Sequence, residues 1–521
     1  MKKLQNFFTS KGFFLLLTTC IQIFLWLGIV YWIGLALDYA GIANVNVALW
    51  TYFLSEVIGI ILSFAILMKN DHPSYKIVWL LFLILLPSVG IFCYLFFGRH
   101  KIRYRLRRNY LNSQIDLRHI MENTSFAEDI KLSSSRESST LAKNIVNSGK
   151  FPAFTDTHNK FYGNISDLWA QLLSDLTTAQ KFIYIEMYII RNGLFWESVR
   201  KLLVEKSLSG VDVRIIYDDF GTSFTKKERE DLSDAGIKFF IFNKMGITFD
   251  ASKNNRTHRK MIIIDGDVAY TGGFNIADEY VNKVEKYGNW KDTGLRLEGP
   301  AVYSFTLMFL SFWQLQKNVK PLDRGFGYAP DISASHPEAH GVVQPLSSGP
   351  LKNYRLIELA FMQMIANAKK SVYITTPYLI LDHEIETMLC IAAQSGIDVR
   401  IIMPGIPDKK IIFAISRSFY PNLLKAGVKI YEYSDGFVHA KELIVDGRRA
   451  FIGTCNMDFR SFFLHFECGA IMYDTVAITE MEDDFLEILD KCRQVDFEWA
   501  TSLKWYQRLW RGIARLFAPL F

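Results

Sequence analysis

Three long apolar runs occupy the start of the chain, before a region in which short apolar and polar segments alternate. Residues 13–37 carry no charge, residues 47–68 are interrupted only by Glu56, and residues 77–97 are again uncharged. About 20 consecutive apolar residues suffice for a helix to cross the hydrocarbon core of a bilayer. The pattern therefore predicts transmembrane helices within residues 1–110.

Basic residues predict how these helices are oriented. The densest basic stretch, residues 99–108, follows the third apolar run. Because positive residues favour the cytoplasmic side and contact anionic headgroups there, we expect a multi-pass cell-membrane protein whose remaining chain is cytoplasmic. Three full spans would leave Lys2, Lys3 and Lys11 outside, against this tendency. The number of spans therefore stays open, and the first run is the candidate for an interfacial segment.

A polar stretch and then a duplicated pattern of helices and strands follow the apolar runs. Residues 111–160, with the Ser-rich positions 133–139, have the composition of a flexible linker. Beyond them, residues 209–216 and 395–402 are one of several pairs of matching segments. Each copy predicts three helix–strand pairs and one further strand, hence an α/β fold with mixed sheets flanked by helices. The predicted parts are a first repeat at 161–320, a connector at 321–350, a second repeat at 351–500 and a terminal helix at 501–521.

The same four residue types occur in both copies at one spacing. The pattern is His-x-Lys-x-x-x-x-Asp, with an Asn 17 positions after the His. Its members are His258, Lys260, Asp265 and Asn275 in the first copy and His439, Lys441, Asp446 and Asn456 in the second. On the apolar strand predicted for each motif, His and Lys share one face, whereas Asp points to the other and supports the turn. Packing alone gives no reason to repeat all four, so we predict paired functional residues.

Composition agrees with a membrane-associated protein and indicates neither a metal site nor a disulfide framework. Half of the 521 residues are hydrophobic, and the mean hydropathy of +0.11 is high for a soluble enzyme. The six cysteines form no Cys-x-x-Cys pair. The net charge is +6, with much of the positive charge after the apolar runs or in the C-terminal tail.

The doubled motif resembles the HKD signature of the phospholipase D superfamily. Residues 86–99, 290–293 and 376–378 narrow the resemblance, over essentially the whole chain, to the bacterial cardiolipin synthase family. The resemblance implies two duplicated phospholipase D-like units whose motifs face one shared cleft. It also implies transfer of a phosphatidyl group between two phosphatidylglycerol molecules, which gives cardiolipin and glycerol through a phosphohistidine.

Phosphodiester exchange needs a nucleophile, an acid for the leaving alkoxide, and positive charge around the phosphoryl oxygens. The two His would supply the first two roles, while the Lys and Asn of both motifs supply donors. We predict His258 as the nucleophile and His439 as the acid and base, although the near-symmetry of the motifs leaves the reverse open. No separate metal-ligand cluster is evident in the sequence, so we expect neither a metal nor another cofactor.

Further residues are candidates for supporting roles. Asp292 and Glu467 each precede x-Gly and a strand-like run, so we predict that they orient the histidines, with surface acids as the alternative. Glu186 and Tyr378 end strands that would face the same cleft, where they would bind the substrate headgroup. Purely structural roles for these two residues are an equal alternative.

The C-terminal tail predicts a cationic amphipathic helix. Arg508, Arg511 and Arg515 fall on one helical face. The other face carries Trp505, Leu509, Ile513 and Leu516. Such a helix suits the interface of an anionic bilayer, and the alternative is a terminal helix docked on the core.

Three other functions remain to be weighed against the transferase. A membrane-anchored phospholipase D hydrolase has the same motifs, because the difference is whether water is kept from the intermediate. A nuclease is disfavoured, since three apolar runs would be superfluous for nucleic acid. An inactive membrane scaffold is disfavoured because both motifs are intact. The expected partners are therefore anionic phospholipid and the bilayer, with the oligomeric state undetermined.

Overall fold

A computed structural model describes most of the chain. The described residues are 47–69, 71–98, 108, 135–222, 224–244, 254–316, 339–350 and 355–518. The first predicted apolar run, the basic stretch apart from position 108, and most of the predicted connector lie outside them. The chain divides into a smaller unit, Met1–Lys101 with Met245–Ser252, and a larger unit, Ile102–Lys244 with Lys253–Phe521.

In its described residues, the smaller unit has three apolar helices that pack on one another, α1 (Val47–Leu67), α2 (Pro73–Leu85) and α3 (Pro87–Phe97). The predicted third run is thus two helices, because Pro87 has no backbone N–H to continue α2. Among the residues described, none of the helices is both long and apolar enough to cross a membrane. The predicted N-terminal transmembrane helices are therefore not confirmed.

A helix occupies part of the predicted linker. Helix α4 (Arg136–Gly149) begins at Ser135, whose hydroxyl accepts the N–H of Ser138 at 3.1 Å. Its apolar side, including Ile145, is buried against the second repeat. The prediction of flexible chain is wrong for the described part of 133–139, because serine at a helix N-terminus caps the free N–H groups.

The first repeat is an α/β unit around a seven-stranded mixed sheet. Its elements are β1 (His158–Tyr162), α5 (Ile165–Thr178), β2 (Phe182–Met187), α6 (Leu194–Leu208), β3 (Asp212–Asp218), α7 (Lys226–Asp234), β4 (Lys238–Phe242), β5 (Met261–Ile264), β6 (Val268–Gly272), a short 3-10 helix (Asp278–Val281), β7 (Asn289–Lys291), β8 (Gly294–Glu298) and α8 (Val302–Trp313). The strand order is β1-β8-β6-β5-β2-β3-β4. Within this sheet, β2, β3 and β4 pair in parallel, and the other neighbouring strands pair antiparallel.

The second repeat has the same architecture. Its elements are β9 (Val342–Ser348), α9 (Leu356–Ala366), β10 (Ser371–Thr375), β11 (Leu379–Ile380), α10 (His383–Gln394), β12 (Asp398–Pro404), α11 (Lys410–Ser416), α12 (Tyr420–Lys425), β13 (Lys429–Tyr433), β14 (Gly436–Val438), β15 (Glu442–Val445), β16 (Arg449–Gly453), β17 (Met457–Asp458), α13 (Phe459–Phe463), β18 (Glu467–Tyr473), α14 (Val476–Leu489), β19 (Cys492–Gln494), α15 (Phe497–Thr501) and α16 (Trp505–Leu516). The sheet order β19-β13-β12-β10-β15-β16-β18-β9 repeats that of the first sheet with one added edge strand. The prediction of two mixed α/β sheets is confirmed.

The central strands are buried on both faces. All four residues of β5, Met-Ile-Ile-Ile, are inaccessible, as are those of its counterpart β15. A strand between two helical layers reads as a continuous apolar run for this reason. Each motif strand is thereby fixed rigidly, and the His and Lys that precede it inherit that rigidity.

Backbone pairing between the repeats brings the two motifs together. Strand β7 pairs parallel with β14, and Thr257 forms a parallel bridge with Phe466. Gly436 permits the first pairing, because a β carbon there would meet the backbone of Asn289. As a result, the chain entering each motif runs beside the chain that leads to Asp292 or Glu467 of the other repeat.

Candidate active site

The motif aspartates hold the backbone of their own repeat. Asp265 and Asp446 have positive φ values of 55° and 58° after the motif strand. Each carboxylate accepts the N–H groups of three consecutive residues, 180–182 for Asp265 and 369–371 for Asp446, at 2.7 to 3.2 Å. Neither residue lines the cavity described below. Their geometry matches the predicted role in supporting the turn.

His258 is held by a carboxylate of the second repeat. Its Nδ1 lies 3.0 Å from both carboxylate oxygens of Glu467. The Thr454 hydroxyl donates to the same carboxylate. The backbone N–H of His258 donates to the Phe466 carbonyl at 2.9 Å, and the Tyr188 ring contacts the imidazole edge-on at 5.2 Å. Backbone and side chain together therefore fix the ring.

His439 is held in the same way by the first repeat. Its Nδ1 lies 2.7 Å from Oδ2 of Asp292, and its backbone N–H donates to the Lys291 carbonyl at 2.7 Å. The rings of Tyr280 and Trp290 each lie 5.4 Å from the imidazole. The carboxylates are thus exchanged between the repeats, a pairing that sequence spacing did not predict. A carboxylate can only accept, so it keeps the proton of a neutral imidazole on Nδ1 and leaves the Nε2 lone pair available.

Lys260 and Lys441 give the site its positive charge. Both are buried, and the Lys260 ammonium donates to the His258 carbonyl at 2.8 Å. Nζ of Lys441 lies 2.8 Å from Nδ1 of His439. Burial lowers the pKa of Lys260 to about 8 and that of Lys441 to about 7. The lysines remain partly or largely charged at neutral pH, and each places that charge beside the histidine of its own motif.

Burial beside these cations keeps both motif histidines neutral. Burial, and then the Lys441 charge, lower the pKa of His439 to about 4. The pKa of His258 is lowered well below its usual value by burial and by the charges of Lys260 and Lys441. Each imidazole therefore has a free lone pair at neutral pH, as a nucleophile or a general base requires.

Both histidines line one cavity of about 490 Å³ at the carboxyl ends of the parallel strands. Besides the motif residues, its walls are mainly aromatic and basic. They include Tyr188, Arg191, Phe220, Tyr280, Lys286, Tyr287, Trp290, Tyr378, Lys409, Phe437, Arg460 and His465. The repeats thus contribute to a single site. A cavity of this size, charge and aromatic content can hold a phosphorylated headgroup.

The motif asparagines also line the cavity, and both amide nitrogens have partners, whereas the amide oxygen of Asn456 is buried without a hydrogen-bond partner among the described residues. Asn275 donates to the Tyr280 hydroxyl at 2.6 Å and accepts the N–H of Ile189 at 3.0 Å. The Asn456 amide donates to Asp458 at 3.1 Å. Both side chains therefore shape the walls around the histidines.

The predicted substrate role of Glu186 is wrong, because this residue does not line the cavity. It is inaccessible in β2, and its carboxylate binds the Arg259 guanidinium at 3.0 and 2.6 Å. Sequence reasoning missed that Arg259, inside the first motif, takes both oxygens. Tyr378 does line the cavity, where its hydroxyl donates to Asp408 at 2.6 Å and accepts from Lys409 at 2.8 Å.

A third histidine joins the site without having been predicted. The His465 ring lies 5.4 Å from the His258 ring, and its Nδ1 is 3.7 Å from Glu467. Its Nε2 accepts the Nε–H of Arg460 at 2.8 Å. Burial lowers the pKa of His465 to about 3, so the ring is neutral. The available signal was its position two residues before Glu467, which places both on one face of an extended segment.

His258, His465 and Glu467 are also a candidate metal set, since their ligand atoms lie within 4.8 Å of one another. However, Nδ1 of His258 faces Glu467, and Nε2 of His465 is occupied by Arg460. Lys260 and Arg460 add positive charge that opposes a further cation. The three side chains therefore fit a hydrogen-bonded network better than a metal centre.

Two family profiles match the chain. One, described as the PLD-like domain of cardiolipin synthase, matches residues 172–288 and 361–489, a segment in each repeat. The other, described as phospholipase D-nuclease N-terminal, matches residues 49–99 in the smaller unit. Both units of the chain are therefore similar to known families.

Individual relatives and a solved structure are also similar to this chain. A cardiolipin synthase of Alkalihalophilus pseudofirmus is 37% identical over 466 residues, which cover 89% of this chain and 91% of the relative. An uncharacterized protein of Streptococcus mutans is 41% identical over 386 residues, 73% of this chain and 82% of the relative. The crystal structure of a phosphatidylserine synthase from Haemophilus influenzae has the same fold, with a TM-score of 0.56 at 16% identity over 74% of this chain and 100% of that one. The chain belongs to the cardiolipin synthase family of enzymes with phospholipase D-like domains.

Proposed function

We propose that the protein joins two phosphatidylglycerol molecules into cardiolipin and releases glycerol. One observation carries the proposal: two carboxylate-held histidines line one cavity, and each is followed two positions later by a buried lysine. This arrangement supplies a nucleophile, a proton carrier and oxyanion stabilisation, which phosphodiester exchange requires. The cardiolipin synthase relatives support the choice of substrate.

In the first step, Nε2 of His258 attacks the phosphorus of one phosphatidylglycerol. A nitrogen–phosphorus bond forms, the bond from phosphorus to the glycerol oxygen breaks, and His439 protonates that oxygen as glycerol leaves. In the second step, His439 removes a proton from the free hydroxyl of a second phosphatidylglycerol. That oxygen attacks phosphorus, the nitrogen–phosphorus bond breaks, and cardiolipin leaves with His258 restored.

Substrate charge makes His439 suitable as the acid. In the absence of phosphate, burial and then the Lys441 charge depress the pKa of His439 to about 4. A bound phosphodiester offsets the lysine charges and itself attracts a proton, so the pKa of His439 rises on binding. The lysines meanwhile donate to the equatorial oxygens, where negative charge develops in the transition state.

Orientation of the histidines is the proposed task of Asp292 and Glu467. Each accepts the Nδ1 proton of a histidine and stabilises the imidazolium or phosphohistidine as positive charge appears. Asp265 and Asp446 act one step further away, by holding the strand that carries each motif. Tyr378 shapes the headgroup pocket from the second repeat.

The proposed location is the cell membrane, multi-pass, with the catalytic unit on the cytoplasmic side. The apolar runs of the smaller unit and the matching N-terminal profile support an anchor. The basic stretch at 99–108 supports the cytoplasmic orientation. An anchored enzyme meets phosphatidylglycerol already concentrated in the bilayer.

Product analysis tests the function directly. The purified full-length protein is supplied with bilayers of phosphatidylglycerol, and lipid and water-soluble products are identified by mass spectrometry. We expect cardiolipin and glycerol in equal amounts. Phosphatidic acid with glycerol would instead identify a hydrolase, in which water replaces the second lipid alcohol. Absence of turnover in wild type would contradict both reactions.

A further inference from the structure

The C-terminal helix α16 turns its apolar face away from the protein. Trp505 is 76% exposed, Leu509 56% and Trp510 58%, and Ile513 on the same face is also exposed. A helix on the surface of a globular protein ordinarily buries such a face and exposes its charges. The orientation of α16 is the reverse, so its apolar face is available to something outside the catalytic unit.

Specific contacts fix this orientation. On the inward face, Arg515 forms an ion pair with Glu386 at 2.5 Å, and its guanidinium lies 4.0 Å from the centre of the Phe419 ring. Ala514 is buried beside it, and Arg508 donates to the Thr501 carbonyl at 2.7 Å. The arginine side of the helix is therefore bound to the second repeat. Both predicted faces exist, and the cationic one docks on the core.

The helix is next to the rim of the cavity. It packs against α11, and the start of α11 carries Lys409 and Ile412, which line the cavity. Ile411 on the same short helix is 55% exposed. The contact between α16 and α11 therefore places the exposed apolar residues of both helices close to residues that line the cavity.

We propose that α16 and α11 form a surface that docks on the headgroup region of an anionic phospholipid bilayer and presents the cavity entrance to it. Tryptophan with leucine and isoleucine suits the boundary between headgroups and acyl chains. Exposed lysines accompany them and complement anionic headgroups: Lys409, Lys410 and Lys504. The substrate phosphate lies at the depth of this boundary, so a lipid can reach the histidines while its acyl chains stay in the bilayer.

The inference rests on the proposed function only for the identity of the lipid. The first test compares Leu509→Glu and Trp510→Glu with a matched control, Leu208→Glu. Leu208 is 72% exposed and ends α6, beside the starts of the strands rather than their ends. Glutamate at the docking surface places a charge against anionic headgroups, whereas at Leu208 it meets only water.

We expect the two docking variants to lose about tenfold in kcat/KM on phosphatidylglycerol in vesicles, because the catalytic unit no longer settles on the bilayer. Their kcat/KM on short-chain phosphatidylglycerol dispersed as monomers stays at the wild-type value. The control keeps wild-type values on both substrates. Equal losses on both substrates, or wild-type activity on vesicles, would overturn the proposal. Unchanged thermal unfolding confirms that the exposed substitutions leave the fold intact.

A second measurement does not depend on catalysis. Amide hydrogen exchange across 505–516 is followed in the full chain, reconstituted in bilayers of phosphatidylglycerol or of phosphatidylcholine. Slower exchange in phosphatidylglycerol supports docking even if no cardiolipin forms, so failure of the proposed function is distinguishable. Equal exchange in both lipids overturns the proposal. So does a second copy on this surface, seen as a dimer that Leu509→Glu converts to a monomer.

Discussion

The two repeats share a backbone frame but surround their histidines differently. Both sheets have the same strand order. Asp265 and Asp446 accept equivalent sets of three N–H groups, and their own φ values differ by only a few degrees. Around His258, however, are a glutamate, Thr454 and His465 with Arg460, whereas His439 faces an aspartate, Tyr280 and Trp290. Each motif histidine therefore has a different set of these neighbouring side chains, supplied by the other repeat.

This difference separates what folding requires from what the reaction requires. Each copy must form the same sheet, so the residues that hold the backbone are the same in both. The reaction is not symmetric, because one imidazole bonds to phosphorus while the other carries a proton. Different surroundings give the two imidazoles different pKa values. In many active sites such a difference determines which group acts as the acid and which as the base.

The largest effect is expected from removing either histidine. His258→Ala and His439→Ala should each lower phosphatidyl transfer by about 10,000-fold, because the nucleophile or the proton carrier is lost. A phosphatidyl ester of p-nitrophenol separates the roles, since this leaving group needs no proton. His439→Ala should still release a burst of p-nitrophenolate, and His258→Ala should not. The opposite pattern would reverse the assignment.

Replacing the motif aspartates tests the shared frame. Asp265→Ala and Asp446→Ala should each lower the free energy of unfolding by about 2 kcal/mol, because three backbone N–H groups, one of them part-buried, lose a charged acceptor. Thermal or urea unfolding measures the loss. Asn at the same positions keeps an acceptor and should recover part of it. The Asp446 variant should lose more, because its carboxylate also pairs with the buried Arg449 guanidinium at 2.7 Å, and a larger loss at Asp265 would contradict this account of the frames.

The pH dependence reports on the lysines that both repeats contribute. Their ammonium forms bind phosphate, and deprotonation as the pH rises through about 7 for Lys441 and about 8 for Lys260 removes that charge. We therefore expect kcat/KM, which reports the free enzyme, to fall above pH 7 and to fall more steeply above pH 8. In kcat the same fall should occur at higher pH, because bound phosphate stabilises the ammonium. Once a lysine titrates, kcat/KM should fall roughly tenfold per pH unit. A kcat/KM that stays constant up to pH 9 would contradict the lowered lysine pKa values.

The smallest effect is expected at His465, which lies beside His258 and is not among the neighbours described for His439. His465→Asn removes the neutral ring between Arg460 and Glu467, so the guanidinium competes with His258 for the carboxylate. We expect the activation free energy of the attack by His258 to rise by about 1 kcal/mol. The rate of the p-nitrophenolate burst should then fall roughly fivefold. The pKa measured for His258 in the pH profile should shift as well. An unchanged burst and profile would make His465 a packing residue.

Much of the catalytic set could be predicted from the sequence because its signals are local. Repetition of His, Lys, Asp and Asn at one spacing identified the motifs, and apolar runs predicted the strands that follow them. The duplication itself predicted two copies of one mixed sheet. The same local logic failed in the smaller unit, where Pro87 divides an apolar run into α2 and α3.

Contacts between distant parts of the chain were decided only by the tertiary structure. Glu467 is 209 positions from His258, and Asp292 is 147 from His439, so the exchanged pairing depends on the Thr257–Phe466 bridge and on strands β7 and β14 meeting across the repeats. Glu186 was expected to face the cleft, but it is buried in β2 with its carboxylate bound to Arg259, a residue with no counterpart in the second motif. Periodicity states which face a side chain occupies, whereas its partner depends on what the fold packs against that face.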